Sequence, residues 1–223
     1  MGRVEPMNRF TVLPAAAALV ALLAPAAARA GTVALDKPCY VEGEAIVATG
    51  SGFSPNAQLT LTSSAGGEPF PSAVTDAAGA FTTRLTAPAP KTLGARASDV
   101  TQTTLTAVDP LNGTLNTATP FQLANFAVDR GRTHDPRAVR TWYFSGFPTG
   151  STIYGHFRRA GKTQANYRFG KATGACGLLH ARARGIPVAH LKTGTWTIQV
   201  DTAKTYKRHR IPSLELTLRL SLV

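Results

Sequence analysis

The stretch ATGSGFSPNAQLTL, residues 48–61, has an echo at residues 143–157, YFSGFPTGSTIYGHF. Both carry Ser-Gly-Phe, then a proline, then a new apolar run. Two further landmarks follow in the same order. Gly79 in VTDAAGAFTTRL matches Gly174 in GKATGACGLLHA, and Asp109 closing TLTAVD matches Asp201 closing WTIQVD. The offsets are 94, 95 and 92 residues, so the chain reads as an internal duplication. That period is too long for a solenoid repeat and fits a β-sandwich of roughly 100 residues. In each copy the motif is read as the turn from the second strand to the third. Glycine supplies the unusual backbone angles, phenylalanine plugs the end of the sandwich, and proline fixes the turn.

Strand patterning agrees. LELTLRLSLV, at residues 214–223, places Leu214, Leu216, Leu218, Leu220 and Leu222 on one face and Glu215, Thr217, Arg219 and Ser221 on the other. This is the period-2 alternation of a half-buried strand. TWTIQVD points Trp196, Ile198 and Val200 inward. STIYGHFRR sets Ile153 and Phe157 against Tyr154, His156 and Arg158. LLHARARG turns Leu179, Ala181 and Ala183 inward and His180, Arg182 and Arg184 outward. No helical periodicity runs through residues 31–223, and Gly, Pro, Asn and Asp separate the runs. About seven strands are expected per half. They begin near residues 32, 44, 57, 70, 80, 99 and 115 in the first half, and near 121, 138, 151, 164, 178, 195 and 213 in the second. The expected fold is all-β, two tandem Ig-like antiparallel sandwiches.

Residues 1–30 are set apart. Arg3 and Arg9 precede an apolar, alanine-rich run that ends in Ala28-Arg29-Ala30, the signature of a cleaved signal peptide. Export follows, to a secreted or envelope-associated location, with no transmembrane anchor after cleavage. The remaining chain divides into residues 31–119 and 120–223. Charge separates the halves. Residues 31–120 carry four Lys/Arg and seven Asp/Glu, a net of −3; residues 121–223 carry seventeen and four, a net of +13. All five histidines fall in the basic half. Such asymmetry points to two domains, with an anionic partner for the second.

The segment CYVEGEAIVATGSGFSPNAQLTLTSS, with VTDAAGAFTTRLTAP after it, resembles the bacterial Ig-like domains of secreted proteins. In these an opening glycine and a Gly-x-Gly-Phe/Leu-x-Pro turn precede an Asp-x-x-Gly-x-Phe hairpin. It is also similar to the apoproteins of antibiotic-carrying chromoproteins. The resemblance covers Cys39 to Pro88 and implies a β-sandwich. From the apoproteins it adds the possibility of a cleft for a small molecule.

No catalytic or cofactor-binding constellation stands out. There is no nucleophile elbow, no HExxH pair and no phosphate-binding loop. Cys176 lies near His180, but His180 is read as solvent-facing. His134-Asp135 supplies two metal-ligating side chains, fewer than a site needs. The two cysteines fall one in each half, which excludes the usual disulfide within one Ig domain. Counting strands up and down places Cys39 in the loop after the first strand and Cys176 in the loop between the fourth and fifth strands of the second half. Both ends face the junction. An interdomain disulfide, two buried thiols and an intermolecular bond all remain open. The basic candidates are Arg168, His180, Arg182 and Arg184, on outward positions of two strands read as possible neighbours. Lys204, Lys207, Arg208 and Arg210 in KTYKRHR form a second patch. Arginine forks suit phosphate or sulfate polymers. The expectation is therefore a non-enzymatic, cofactor-free, monomeric binding or structural module. It would engage an anionic envelope polymer and no specific nucleic acid. A small-molecule carrier and an inhibitor of a secreted enzyme are the alternatives.

Overall fold

The computed structural model describes residues 31–64, 70–90, 96–113, 115–131, 135–208 and 210–220. Residues 1–30, where a signal peptide is expected, lie outside them, as do His134 and Leu222. Fifteen strands and no helix are present among these residues. The first eight are β1 (Thr32–Leu35), β2 (Cys39–Val41), β3 (Ala45–Ser51), β4 (Gln58–Ser63), β5 (Ala73–Val74), β6 (Phe81–Thr86), β7 (Val100–Val108) and β8 (Asn116–Ala124). The next seven are β9 (Ala127–Arg130), β10 (Val139–Ser145), β11 (Thr152–Arg159), β12 (Lys162–Lys171), β13 (Leu179–Arg184), β14 (Gly194–Asp201) and β15 (Leu214–Leu220).

The strands form four sheets. The first sandwich packs β1-β3-β6 against β2-β8-β7-β4-β5; the second packs β9-β10-β13 against β15-β14-β11-β12. The two orders superimpose strand for strand, β1 on β9, β3 on β10, β4 on β11, β6 on β13, β7 on β14 and β8 on β15. Apart from β2, which runs parallel to β8, every strand pair is antiparallel. This two-sheet Greek key is the Ig-like arrangement. Each sandwich has its own core: Tyr40, Ile46, Leu59, Leu85, Leu105 and Leu123 in one, Trp142, Phe144, Ile153, Phe157, Trp196 and Ile198 in the other.

Two strand assignments differ from expectation. Cys39, placed in a loop by the sequence, opens β2. Pro38 lacks an N–H and interrupts the first strand, so the chain leaves β1 and adds to the opposite sheet, with Cys39 beside Gln122. The strand expected to start near Phe121 is the second half of β8, which pairs with β7 from Asn116 through Ala124. Pro120 reads as a boundary because it cannot donate to a ladder. It is accommodated because β2 covers only Gln122–Ala124. The chain passes to the second set of sheets at Asn125-Phe126, and β8 runs through residues 119 and 120 without a break.

The repeated turn is built the same way twice. Gly52 and Gly146 adopt positive φ, 83° and 75°. The phenylalanines after them, Phe53 and Phe147, are buried in the two cores. A second glycine then presses on each turn. A Cβ on Gly79 would fall on the Phe53 carbonyl oxygen, and a Cβ on Gly177 on that of Phe147. The partner of Gly79 is thus Gly177. Gly174, the sequence match, has open space around it and sits three residues earlier in the same loop.

The repeated aspartates also share a role. Asp109 accepts the Leu111 N–H and Asp201 the Ala203 N–H, each two residues on, closing the turn after β7 or β14. Asp109 also accepts the Ser54 N–H at 2.8 Å and so ties that turn to the Ser-Gly-Phe motif. Its burial pulls the carboxyl upward, but the main-chain N–H donors, Ser54 foremost, outweigh this and hold it below the usual carboxylate value. A depressed folded value means stability that is present above the unfolded pKa of about 3.9 and is lost as pH falls through the folded one. Thermal melts between pH 6 and pH 2 should show a shallower acid loss for Asp109→Asn than for the wild type.

Candidate functional site

The basic face grows out of β13. Its alternation buries Ala181 and Ala183 and exposes His180, Arg182 and Arg184. Two small inward residues let the strand lie close over the core, while two arginines and a histidine line its other side. The register sets His180 beside Tyr143, Arg182 beside Thr141 and Arg184 beside Val139. The His180 ring meets the Tyr143 ring edge to face at 4.9 Å. Arg96, from the turn before β7, crosses from the first sandwich and lays its guanidinium 3.8 Å from the Tyr143 ring centre. Beside it the Ser98 N–H donates to Asp129 at 2.7 Å, so the carboxylate of this face is already engaged. Asn125 Nδ2 donates to the Ala97 carbonyl and completes the docking of this turn. Arg96 was not among the sequence candidates. No local signal carries a long-range stacking contact.

The other candidates lie elsewhere. Arg168 is exposed on β12, which belongs to the opposite sheet. Strands β12 and β13 meet at the sandwich edge through the bridge between Thr173 and Leu178, but they share no ladder. The outer faces of two packed sheets point away from each other, so Arg168 does not extend the Arg182–Arg184 row. KTYKRHR does not project as a free tip. Gln199 Nε2 donates to the Lys207 carbonyl at 3.0 Å and pins the segment to the outer face of β14. Tyr206 rests against the Arg158 guanidinium, 4.0 Å from the ring centre. Lys204, Lys207 and Arg208 remain exposed there, and Arg210 is half-buried.

Beneath this segment lies a polar cluster around His156, which strand parity sets on the side opposite Ile153 and Phe157. His156 and Asp201 are fully buried, with His156 Nε2 3.2 Å from Asp201 Oδ1 and Nδ1 2.6 Å from Asn166 Oδ1. Gln199 Nε2 donates to the other Asp201 oxygen. Parity gave the correct face. The covering loop, which parity cannot see, removed the solvent.

The cysteines meet at the junction. Cys39 and Cys176 form a disulfide with Cα atoms 5.4 Å apart, both buried against Ala124, with Val100 and Leu178 packed around them. No thiol is left on Cys176 to act as a nucleophile. Beside the bond a groove of about 610 Å³ runs between the sandwiches, walled by Phe126, Phe147, Pro148 and Pro212 and edged by Glu42 and Glu44. Among the described residues no group of three or more His, Cys, Asp or Glu side chains could hold a metal ion.

No family model matches the chain, and no curated protein matches it. Among solved structures it is similar to the tetra-tandem repeat in the extending region of a large adhesion protein, at 14% identity and a TM-score of 0.30. That match covers 84% of this chain and 47% of the other. Salmonella alpha-2-macroglobulin reacted with methylamine is similar at 10% identity and a TM-score of 0.29, over 84% of this chain and 14% of that one. The periplasmic chaperone SfaE is similar at 13% and 0.26, over 75% and 92%. The chain spans less than half the length of the first two. Likeness at this level says nothing about function. The strand order defines the class, a tandem Ig-like β-sandwich protein.

Proposed function

We propose that the protein is an exported, non-enzymatic binding module that holds anionic envelope polymers on the outer face of β13 and β10. The observation that carries this reading is the row His180, Arg182 and Arg184, exposed on one strand, continued by Tyr143 and by Arg96 from the first sandwich. Spacing along a strand sets alternate outward residues about 6.5–7 Å apart, close to the phosphate repeat of an extended polymer. A disulfide suits an oxidising compartment. The net of +13 on residues 121–223 favours polyanions in general.

Binding of a wall teichoic acid, a glycerol-phosphate polymer, to the protein should weaken steeply as salt rises, because counterion release drives it. Arg182→Ser with Arg184→Ser should lower affinity about tenfold or more at low salt and flatten the salt slope by about two phosphates' worth. Arg168→Ser should change little, since it lies on the opposite face. Equal losses from both variants would defeat the proposed face. Absence of binding at low salt would shift weight to the second reading, a small-molecule carrier. That reading is supported by the junction groove and its apolar walls, of a size usual for ligand sites.

A further inference from the structure

The inward face of a sandwich sheet is the place for apolar side chains, and β9 and β10 break that rule twice. Val128 and Phe144 pair inward, as do Arg130 and Trp142, and two residues before Trp142 the inward position is Arg140. Both arginines therefore point between the sheets, near the open side where β9 and β15 are edges. Arg140 is only 8% exposed. Its terminal nitrogens donate to the carbonyls of Asp135 at 2.9 Å and Gly131 at 3.4 Å, and its Nε is buried without a partner. Gly185 makes room for this guanidinium. A Cβ there would lie 2.7 Å from Arg140 Nη2 and 2.7 Å from the Pro136 carbonyl oxygen.

Arg130 and Arg140 line a cleft of about 220 Å³ with Pro136, Ile186, Leu218, Arg219 and Leu220. No carboxylate lines it among the described residues. Asp135 acts on Arg140 from outside the cleft, and one of its carboxylate oxygens accepts the Arg137 N–H. Burial works against the charge on both arginines, and on Arg140 the neighbouring Arg130 adds repulsion. Arginine does not shed its proton to escape such a cost. An anion between the two would satisfy the free N–H groups and cancel the repulsion, and fork-to-carboxylate geometry favours a planar head. The leucine and isoleucine wall would then cover a short apolar tail.

We infer that this cleft is a binding site for a small amphiphilic carboxylate, its head held by Arg130 and Arg140 and its aliphatic tail laid on Ile186, Leu218 and Leu220. The site is separate from the β13 face, so the two readings stand or fall independently. Inward charges on an edge strand also deter sheet-to-sheet pairing, and that purely structural role is the competing account.

The test is a titration of the disulfide-intact protein with octanoate, read by NMR of the arginine Nε–H groups. Saturable shifts of Arg130 and Arg140 are expected. Acetate should bind at least tenfold more weakly, and octylamine should not compete. Arg130→Gln should weaken octanoate binding at least tenfold with an unchanged far-UV spectrum. Gly185→Ala, which crowds the Arg140 guanidinium while keeping every charge, should do likewise. If Gly185→Ala does not fold, Arg130→Gln decides alone. Arg182→Ser with Arg184→Ser should leave octanoate binding intact. The inference is overturned if Arg130 and Arg140 show no saturable shift, if acetate binds as tightly as octanoate, or if the β13 variant loses binding equally.

Discussion

Replacing Cys39 and Cys176 together by alanine is expected to lower stability by about 4–5 kcal/mol. The bond closes a loop between residues 137 apart, and the chain-entropy cost lifted from the unfolded ensemble grows with the logarithm of that length. The double variant is the correct comparison, because a single one would leave a reactive thiol buried at the junction. A second effect should accompany the first. With the bond intact, unfolding of one sandwich pulls on the other through β2 and the turn before β13. Without it, the sandwiches stay joined by Asn125-Phe126, the Asn125–Ala97 and Ser98–Asp129 hydrogen bonds, the Arg96–Tyr143 stack and the small apolar contact of Leu178 with Val100 and Ala124. These contacts are small beside either core. Calorimetry should show one transition for the disulfide-bonded protein and two for the double variant, as two weakly coupled domains behave. An unchanged midpoint and a single transition in the variant would mean that the junction is held by packing instead.

The same junction shows what was legible in the residues. The duplication could be read because each landmark does a job that only a few residue types perform. A glycine fits where a Cβ would strike a carbonyl, and an aspartate fits where two N–H groups need an acceptor. The misassigned glycine has the same origin: Gly174 and Gly177 share one loop, and only the contact with Phe147 distinguishes them. Strand parity put His180, Arg182 and Arg184 outward correctly, because alternation is a local property. Parity is silent about which strand lies beside which. Arg168 was therefore grouped with residues of another sheet, and Arg96 was missed. It is silent also about loops that return to cover a sheet, as residues 202–208 cover His156. Arg130 and Arg140 were not singled out in the sequence: their inward phase comes from the pairing of β9 with β10, and their setting depends on Gly185 and on the edge strand β15, both remote in sequence.

Trp196→Ala should be among the costliest core changes in the second sandwich, at about 3–5 kcal/mol. The indole is 1% exposed and its Nε1 donates to the Lys192 carbonyl at 2.9 Å, so truncation leaves a large cavity and an unpaired carbonyl together. Strand β14 is central, with β11 on one side and β15 on the other, and a central strand has no slack with which to close such a void. The leucines of β15 differ, although they share the same inward phase. The strand pairs only with β14; Leu218 is buried, while Leu214, Leu216 and Leu220 are half-buried. Alternation alone ranks Leu216 with Ile198, its cross-strand neighbour; the edge position does not. Leu216→Ala should accordingly cost about 1–2 kcal/mol, since part of its surface already meets water. Urea denaturation of both variants reads the contrast directly. Equal losses would place β15 under cover that the sheet order does not provide. A near-neutral Trp196→Ala would reverse the faces of β14 and with them the core of the second sandwich.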